Sequence, residues 1–187
     1  MGRDKALLSF GGQQFRERIR DALHSVTRRV SLVGAKPEEA AVQGAAGWPN
    51  VPDVYEQWGA LGGLHAALEA CRAEWAAVVA CDLPFVTGQL FARLAQLAED
   101  YEAVVPVQPD GRRQPLCALY RVRSCRELAR ELIAEGERRP REMLHRLRAR
   151  LVAPEELMDL NGAQDFFRNI NTQEEYLSAL ERLAARP

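Results

Sequence analysis

Short apolar runs rich in β-branched residues alternate along this chain with segments of helical periodicity. The spacing predicts strands at RVSLVG (29–34), WAAVVAC (75–81), EAVVPV (102–107) and PLCALYR (115–121). Strands separated by helices of roughly ten residues indicate a mostly parallel sheet with helices on both faces. We therefore expect one three-layer α/β/α domain, Rossmann-like, over residues 1–187.

The helical segments between these runs carry apolar stripes and end signals. Thr87 is a predicted N-cap, Gly136 a predicted helix stop, and Thr172 with Glu175 a predicted capping box. The stripes that we expect to face the core comprise Leu64, Leu68 and Cys71, then Leu90, Leu94, Leu97 and Ala98, then Leu128, Leu132 and Ile133, and finally Tyr176, Leu177, Leu180 and Leu183.

Composition and charge narrow the function classes. A net charge of −1 argues against a general nucleic-acid binder, and no apolar run reaches the ~20 residues of a membrane span. No signal peptide is predicted, and the cysteines form no CxxC pair, which favours free thiols in a reducing, cytoplasmic setting. The cysteines are Cys71, Cys81, Cys117 and Cys125.

Asp82 follows the apolar run WAAVVA, and Pro84 prevents the strand from continuing. Ligands of such sheets bind beyond the carboxyl ends of the strands. A carboxylate there suits Mg²⁺, which takes one or two carboxylates together with phosphate oxygens and water. An Asx hydrogen bond that caps the following turn is an equally good interpretation from spacing alone.

A glycine-rich stretch, VPDVYEQWGALGGLHAAL, precedes a helical pattern. Gly59, Gly62 and Gly63 allow a ligand to approach the backbone, and a helix N-terminus favours anions. Asp53 could accept hydrogen bonds from a sugar or a purine edge. The spacing fits neither a Walker A loop nor a dinucleotide fingerprint, so a plain glycine turn is the alternative.

Polar residues near both chain ends are weaker candidates. Lys5, close to Gly2, could offset the charge of a polyphosphate, although a lone lysine is usually solvated. Asn169 and Asn171 alternate around Ile170, so an extended backbone would point both amides to one side. Turn and capping roles are the alternative for the two amides.

Taken in order, the segments MGRDKALL, VPDVYEQWGALGGLHAAL, VVACDLPFV, RQPLCALY and FRNINTQEEY resemble the molybdenum cofactor guanylyltransferases, the MobA family. The resemblance spans essentially the whole chain. It implies a nucleotide-diphospho-sugar transferase-like fold and Mg²⁺-dependent transfer of GMP from GTP to molybdopterin, with release of pyrophosphate. GTP and molybdopterin would be the partners, and other molybdenum-cofactor proteins could join them.

The resemblance also assigns expected roles to single residues. Lys5 would neutralise triphosphate charge, Asp53 would contact the nucleotide, and Asp82 would bind the metal. Gly59 and Gly63 would line the base and ribose pocket, and Asn169 and Asn171 would orient the pterin phosphate or the metal's water shell. Three departures stand out: Gly34 where the family often has Asn, which weakens the guanine assignment, Ala60 in place of Pro, and Gln173 in place of Pro.

In the family, a first strand and a glycine-rich phosphate loop lie upstream of the residues that open this sequence. Each charge-assisted hydrogen bond to phosphate contributes roughly 1.5–3 kcal/mol, so losing about three would lower affinity by ~10³–10⁴. The sequence as it begins at Met1 is therefore expected to bind GTP poorly and to transfer little. A missing interior strand would also expose its neighbours' apolar faces.

The segment RRPREMLHRLRARL predicts a basic helix with an inner stripe at Met143, Leu144, Leu147 and Leu151, and Pro140 in its first turn. A solvated basic face is the favoured interpretation over a site for the anionic pterin or a partner protein. His24, His65 and His145 are not expected to be catalytic, because an ionised phosphate nucleophile needs no strong base.

Two other function classes stay open. One is cytidylyl transfer or sugar-phosphate nucleotidyl transfer within the same superfamily. The amides of NINT favour guanine as the base of the nucleotide and so speak for guanylyl transfer. The other is a non-catalytic nucleotide-binding or scaffold domain.

Overall fold

The computed structural model describes residues 9–10, 13–34, 49–170, 172 and 174–175. Within these residues, three 3₁₀ helices cover Pro140–His145, Pro154–Glu156 and Ala163–Asp165. The α-helices are Phe15–His24 (α1), Gly59–Ala70 (α2), Gly88–Gln96 (α3) and Val122–Ala134 (α4). The strands are Ser9–Phe10 (β1), Gln13–Gln14 (β2), Leu32–Val33 (β3), Asn50–Val51 (β4), Trp75–Val79 (β5), Ala103–Pro106 (β6), Cys117–Arg121 (β7) and Ala149–Val152 (β8).

The main sheet has the strand order β5-β7-β6-β8. Strand β7 is antiparallel to both β5 and β6, whereas β6 and β8 are parallel. Three of these four strands therefore share one direction, in agreement with the predicted mostly parallel sheet. The reversal of β7 follows from its connection, because residues 107–116 form a turn with no helix to carry the chain back across the sheet.

Strands β3 and β4 form a separate parallel pair, with Leu32 opposite Asn50 and Val33 opposite Val51. Helix α2 connects β4 to β5 and contacts all three strands. Such a strand–helix–strand crossover returns the chain to the same end, so the carboxyl ends of β4 and β5 lie at one edge of the domain.

Helices cover both faces of the sheet. One buried cluster joins α2 and α4 to the sheet, and the other joins α1 and α3 to its opposite face. Strand β7 serves both clusters, because Ala118 and Tyr120 pack on one face while Cys117 and Leu119 pack on the other. The three-layer α/β/α prediction is confirmed.

A cavity of about 920 Å³ separates β3 from β5. Its walls are largely apolar and include Val33, Ala76 and Val78, with α1, α2 and α3 closing the sides. All five residues of β5 are only half-buried, whereas all four of β6 are buried.

Most helix ends lie where the sequence predicts them. The Thr87 hydroxyl accepts a hydrogen bond from the Leu90 N–H at 3.4 Å, and Gly136 ends α4 with a φ of 89°. Thr172 and Glu175 exchange the two hydrogen bonds of a capping box, at 2.9 and 3.1 Å. The apolar stripe beyond Glu175 lies outside the described residues.

The predicted basic helix over the arginine-rich segment is wrong in its second half. Only Pro140–His145 is helical, as a 3₁₀ helix, and Ala149–Val152 is strand β8. Backbone pairing with β6 along residues 103–106 determines this structure. Met143 and Leu144 are nevertheless buried, and Leu147 and Leu151 pack against the same cluster, as the stripe predicts.

All four cysteines are free thiols, and Cys117 and Cys125 are buried. Burial raises the pKa of the Cys117 thiol far above its ordinary value and that of Cys125 to about 12. Both are therefore unreactive structural groups. Across the described ranges, no helix is long and apolar enough to cross a bilayer.

Candidate functional site

Asp82 lies just past β5 and is half-buried. Its carboxylate makes no hydrogen bond or ion pair with any residue that the structure describes, so no Asx turn holds it. Pro84 is buried in the turn that follows. The side chain thus lies at the carboxyl end of β5, and none of the described residues engages its oxygens.

The Asp82 backbone carbonyl accepts a hydrogen bond from the Ile170 N–H at 3.2 Å. Ile170 is fully buried, and its neighbour Asn169 is exposed. The fold therefore brings the C-terminal amide segment against the end of β5, although the two are far apart in sequence. Asn171 lies outside the described residues, as does Lys5.

A second cavity, of about 830 Å³, opens beside Asn169 at the carboxyl ends of β6 and β8. Its lining combines polar donors, including Gln108, Arg112 and Arg168, with the apolar side chains Phe167 and Met158. Met158 is 73% exposed, unusual for so large an apolar side chain. Sequence spacing does not reveal this cavity, because its lining comes from separate segments of the chain, residues 107–114, 154–158 and 163–169 together with Glu175.

Asp53 is exposed and lies between two glycines, Gly34 and Gly63. A β-carbon added at Gly34 would lie 3.3 Å from Asp53 Oδ2, and one added at Gly63 would lie 3.9 Å from Asp53 Oδ1. Gly34 follows β3, and Gly63 lies near the start of α2. The structure thus brings together Asp53 and the glycine-rich stretch, as the sequence predicts.

Gly34 has a φ of 74°, in the left-handed region. Asn is the other residue that visits this region readily. The Gly34-for-Asn departure therefore preserves the backbone conformation, while it removes a polar side chain.

Gly59 begins α2 with a φ of 69°, and a β-carbon there would meet nothing within 4 Å. The backbone conformation, not a close contact, requires glycine at this position. At Gly62 the reason is contact, because an added β-carbon would lie 2.8 Å from the Trp58 β-carbon.

Most arginines of the basic segment are engaged by the chain's own carboxylates. Arg139 lies 2.8 Å from Glu137, and Arg141 lies 3.2 Å from Glu142. Arg146 pairs with Glu135, and Arg150 with Glu156. These ion pairs offset much of the positive charge, which favours the solvated-face interpretation over an anion site.

The histidines have no arrangement that suggests catalysis. His65 is buried among core residues, and burial lowers the pKa of its imidazole. Its ring packs edge-on against Tyr55, with centroids 5.2 Å apart. His24 and His145 are exposed. In the described part of the chain, no three His, Cys, Asp or Glu side chains cluster as a metal site.

Glu137 organises the turn before the 3₁₀ helix. Its carboxylate accepts hydrogen bonds from the Arg139 side chain and from the backbone N–H groups of Arg139 and Arg138, at 2.8–2.9 Å. These bonds, the Arg139 side chain first, lower the pKa of Glu137 to about 2. The charged carboxylate is thus the form that the folded turn stabilises.

We expect this turn to give an acid-dependent contribution to stability. A carboxyl with a lowered pKa stabilises the fold fully above its ordinary pKa of about 4.5 and loses that contribution as the pH falls towards 2. Glu137→Gln should therefore flatten the loss of thermal stability between pH 5 and pH 2, measured by circular dichroism. Glu155→Gln, at an exposed site, is the control, and an equal flattening there would contradict the assignment.

Comparison with known proteins identifies relatives of the whole domain. The profile described as "MobA-like NTP transferase domain" matches residues 1–151. A protein of Bacillus cereus (strain AH187), named "Probable molybdenum cofactor guanylyltransferase", is 32% identical over 186 residues, which cover 98% of this chain and 90% of that protein.

Solved structures share the fold. Molybdopterin-guanine dinucleotide biosynthesis protein A from Archaeoglobus fulgidus superposes with a TM-score of 0.82 at 23% identity, covering 99% of this chain and 93% of the other. A Mycobacterium tuberculosis H37Rv protein, solved in complex with manganese, superposes with a TM-score of 0.63 at 21% identity, covering 95% and 91%. The nucleotidyltransferase fold expected from the sequence is confirmed.

Proposed function

Because the chain belongs to the MobA-like NTP transferase domain family, we propose that it transfers GMP from GTP to molybdopterin and releases pyrophosphate. The product is the molybdopterin guanine dinucleotide cofactor. The observation that carries the proposal is the placement of Asp82 at the end of β5, where its backbone carbonyl meets Ile170 and no described residue engages its carboxylate. The proposed metal is Mg²⁺, and the manganese complex of the structural neighbour supports a divalent ion.

Asp82 fits a divalent cation that is shared with substrate. One carboxylate that makes no hydrogen bond to the described part of the chain is what Mg²⁺ uses when phosphate oxygens and water complete its shell. When bound, the ion supplies positive charge to the triphosphate and its transition state. Lys5 would add a second positive charge on the pyrophosphate side.

The nucleotide half of the proposal rests on Asp53 and the glycines around it. The Asp53 carboxylate accepts hydrogen bonds from the ribose or the guanine edge, and Gly34 and Gly63 leave room beside it. Gly59, the first residue of α2, has a backbone N–H without an intrahelical acceptor, and Gly63, one turn further on, leaves the helix surface open for the bound nucleotide.

The acceptor half rests on the cavity beside Asn169. Arg168 and Arg112, the latter also paired with Asp110 at 2.6 Å, lie in the lining that would receive a phosphate monoester, and Phe167 provides an apolar face for a flat ring system. Asn169 and Asn171 would orient the attacking phosphate. That phosphate has a second pKa of about 6 and is largely ionised at neutral pH, so the chain needs no strong general base.

Pyrophosphate release measured with each nucleoside triphosphate, with and without molybdopterin, tests the proposal. We expect release only when GTP, molybdopterin and Mg²⁺ are all present. Faster release with CTP would favour the cytidylyl alternative, and binding without release would favour a non-catalytic domain.

A further inference from the structure

Two segments that are far apart in sequence contact each other at the start of helix α2, and we call this contacting pair the bracket. The first is Asp53–Gly59, which leads into α2, and the second is Glu137–Arg139, which leads into the 3₁₀ helix. The Trp58 indole N–H donates to the Glu137 carbonyl at 2.8 Å. The Leu61 N–H, in the first turn of α2, donates to the Arg138 carbonyl at 3.3 Å.

Arg138 makes the remaining contacts of the bracket through its guanidinium. The group lies 4.6 Å from the centroid of the Trp58 ring, within cation–π range. Its Nη1 also donates to the Gln57 carbonyl at 3.3 Å. One exposed arginine therefore contacts two successive residues of the segment that carries Asp53.

Gln57 is where the segment needs external support. Its φ is 59°, and among the described non-glycine residues no other has a positive φ. Such a conformation carries a steric cost that neighbouring contacts must offset. The hydrogen bond from Arg138 to the Gln57 carbonyl is one such contact. The contacts of the neighbouring Trp58 with Arg138 and Glu137 are the others.

Further contacts within each of the two segments hold the bracket in place. Glu137 fixes the backbone N–H groups of Arg138 and Arg139 at 2.8 and 2.9 Å. Trp58 in turn depends on Gly62, since a β-carbon there would approach to 2.8 Å. Helix α2 has no side-chain cap at its start, so the Arg138 carbonyl satisfies an N–H that a cap would otherwise serve.

From these contacts we infer that Arg138 is a positioning residue for nucleotide binding: through Trp58 and Gln57 it fixes the loop that places Asp53 and the start of α2. The inference rests on the proposed function for its kinetic consequence. Its structural part, the ordering of residues 53–63, is independent of what the protein binds.

Two measurements on the intact chain test the inference. Arg138→Ala should raise the KM or Kd for GTP about 10-fold while kcat changes by less than about twofold, because the loop positions substrate and takes no part in the chemistry. Arg138→Lys keeps the charge but loses the planar stack, and should recover only part of the affinity. Arg141→Ala, which removes an exposed arginine paired with Glu142, is the matched control and should leave KM unchanged.

Hydrogen exchange measured by mass spectrometry provides the readout that needs no activity. Arg138→Ala should speed exchange in residues 53–63 several-fold and leave residues 103–106 in β6 unchanged. Unchanged exchange in 53–63, or an equal rise in both regions, would overturn the inference. If exchange rises locally but no nucleotide is transferred by any form of the protein, the proposed function fails and the bracket stands.

Discussion

Replacing Asp82 with alanine should lower the rate of nucleotidyl transfer by about 10²–10³-fold with little change in thermal stability. The carboxylate contributes no hydrogen bond to the described fold, so its loss should cost under about 0.5 kcal/mol of unfolding free energy. Under the proposed function, transfer depends on the Asp82 carboxylate because two anionic groups must meet in line, and the cation that Asp82 would bind offsets their repulsion.

Asp82→Asn is the more selective variant, since it keeps the shape of the side chain and removes its charge. We expect it to be nearly as inactive as the alanine variant at saturating GTP. Asp100→Asn, at an exposed carboxylate away from the site, is the control and should be unaffected. Turnover within twofold of the parent in Asp82→Asn would remove Asp82 from the metal-binding role.

Replacing Asp53 with asparagine should raise the KM for GTP by about 10–100-fold and leave kcat largely intact. Hydrogen bonds to a charged carboxylate contribute roughly 1.5–3 kcal/mol, which corresponds to this range. Asp53 is exposed beside Gly34 and Gly63, so its oxygens are accessible to a ligand rather than engaged in the core.

The comparison of nucleotides shows which part of the ligand Asp53 contacts. If it accepts from guanine, Asp53→Asn raises the KM for GTP and not that for CTP. If it accepts from the ribose, both rise together. Glu56→Gln, in the same loop, is the control. An unchanged KM for both nucleotides would show that Asp53 lies outside the nucleotide site.

Local patterns predict the part of the fold that positions Asp82. The run that becomes β5 is apolar and ends before Pro84, and α3 begins behind its Thr87 cap. In the arginine-rich segment the same reasoning fails, because helical spacing of Leu144, Leu147 and Leu151 competes with strand pairing to β6. Tertiary pairing overrides local periodicity there.

Helix α1 is not among the elements predicted above, although its sequence carries a helical pattern. Phe15, Ile19 and Leu23 follow a four-residue spacing and are all buried, and Glu17 accepts from the Gln14 N–H at 2.9 Å. By contrast, nothing local links Arg138 to Trp58, or Ile170 to Asp82. Those contacts depend on how the elements pack, so only the assembled fold reveals them.

Crystals grown with Mn²⁺ and GTP, and measured at an anomalous wavelength, test the central claim most directly. The account predicts an anomalous peak within coordinating distance of the Asp82 carboxylate and of the triphosphate oxygens. A peak bound only by other residues, or GTP bound with Asp82 turned away from it and no ion beside it, would contradict the claim that this carboxylate holds the metal for transfer.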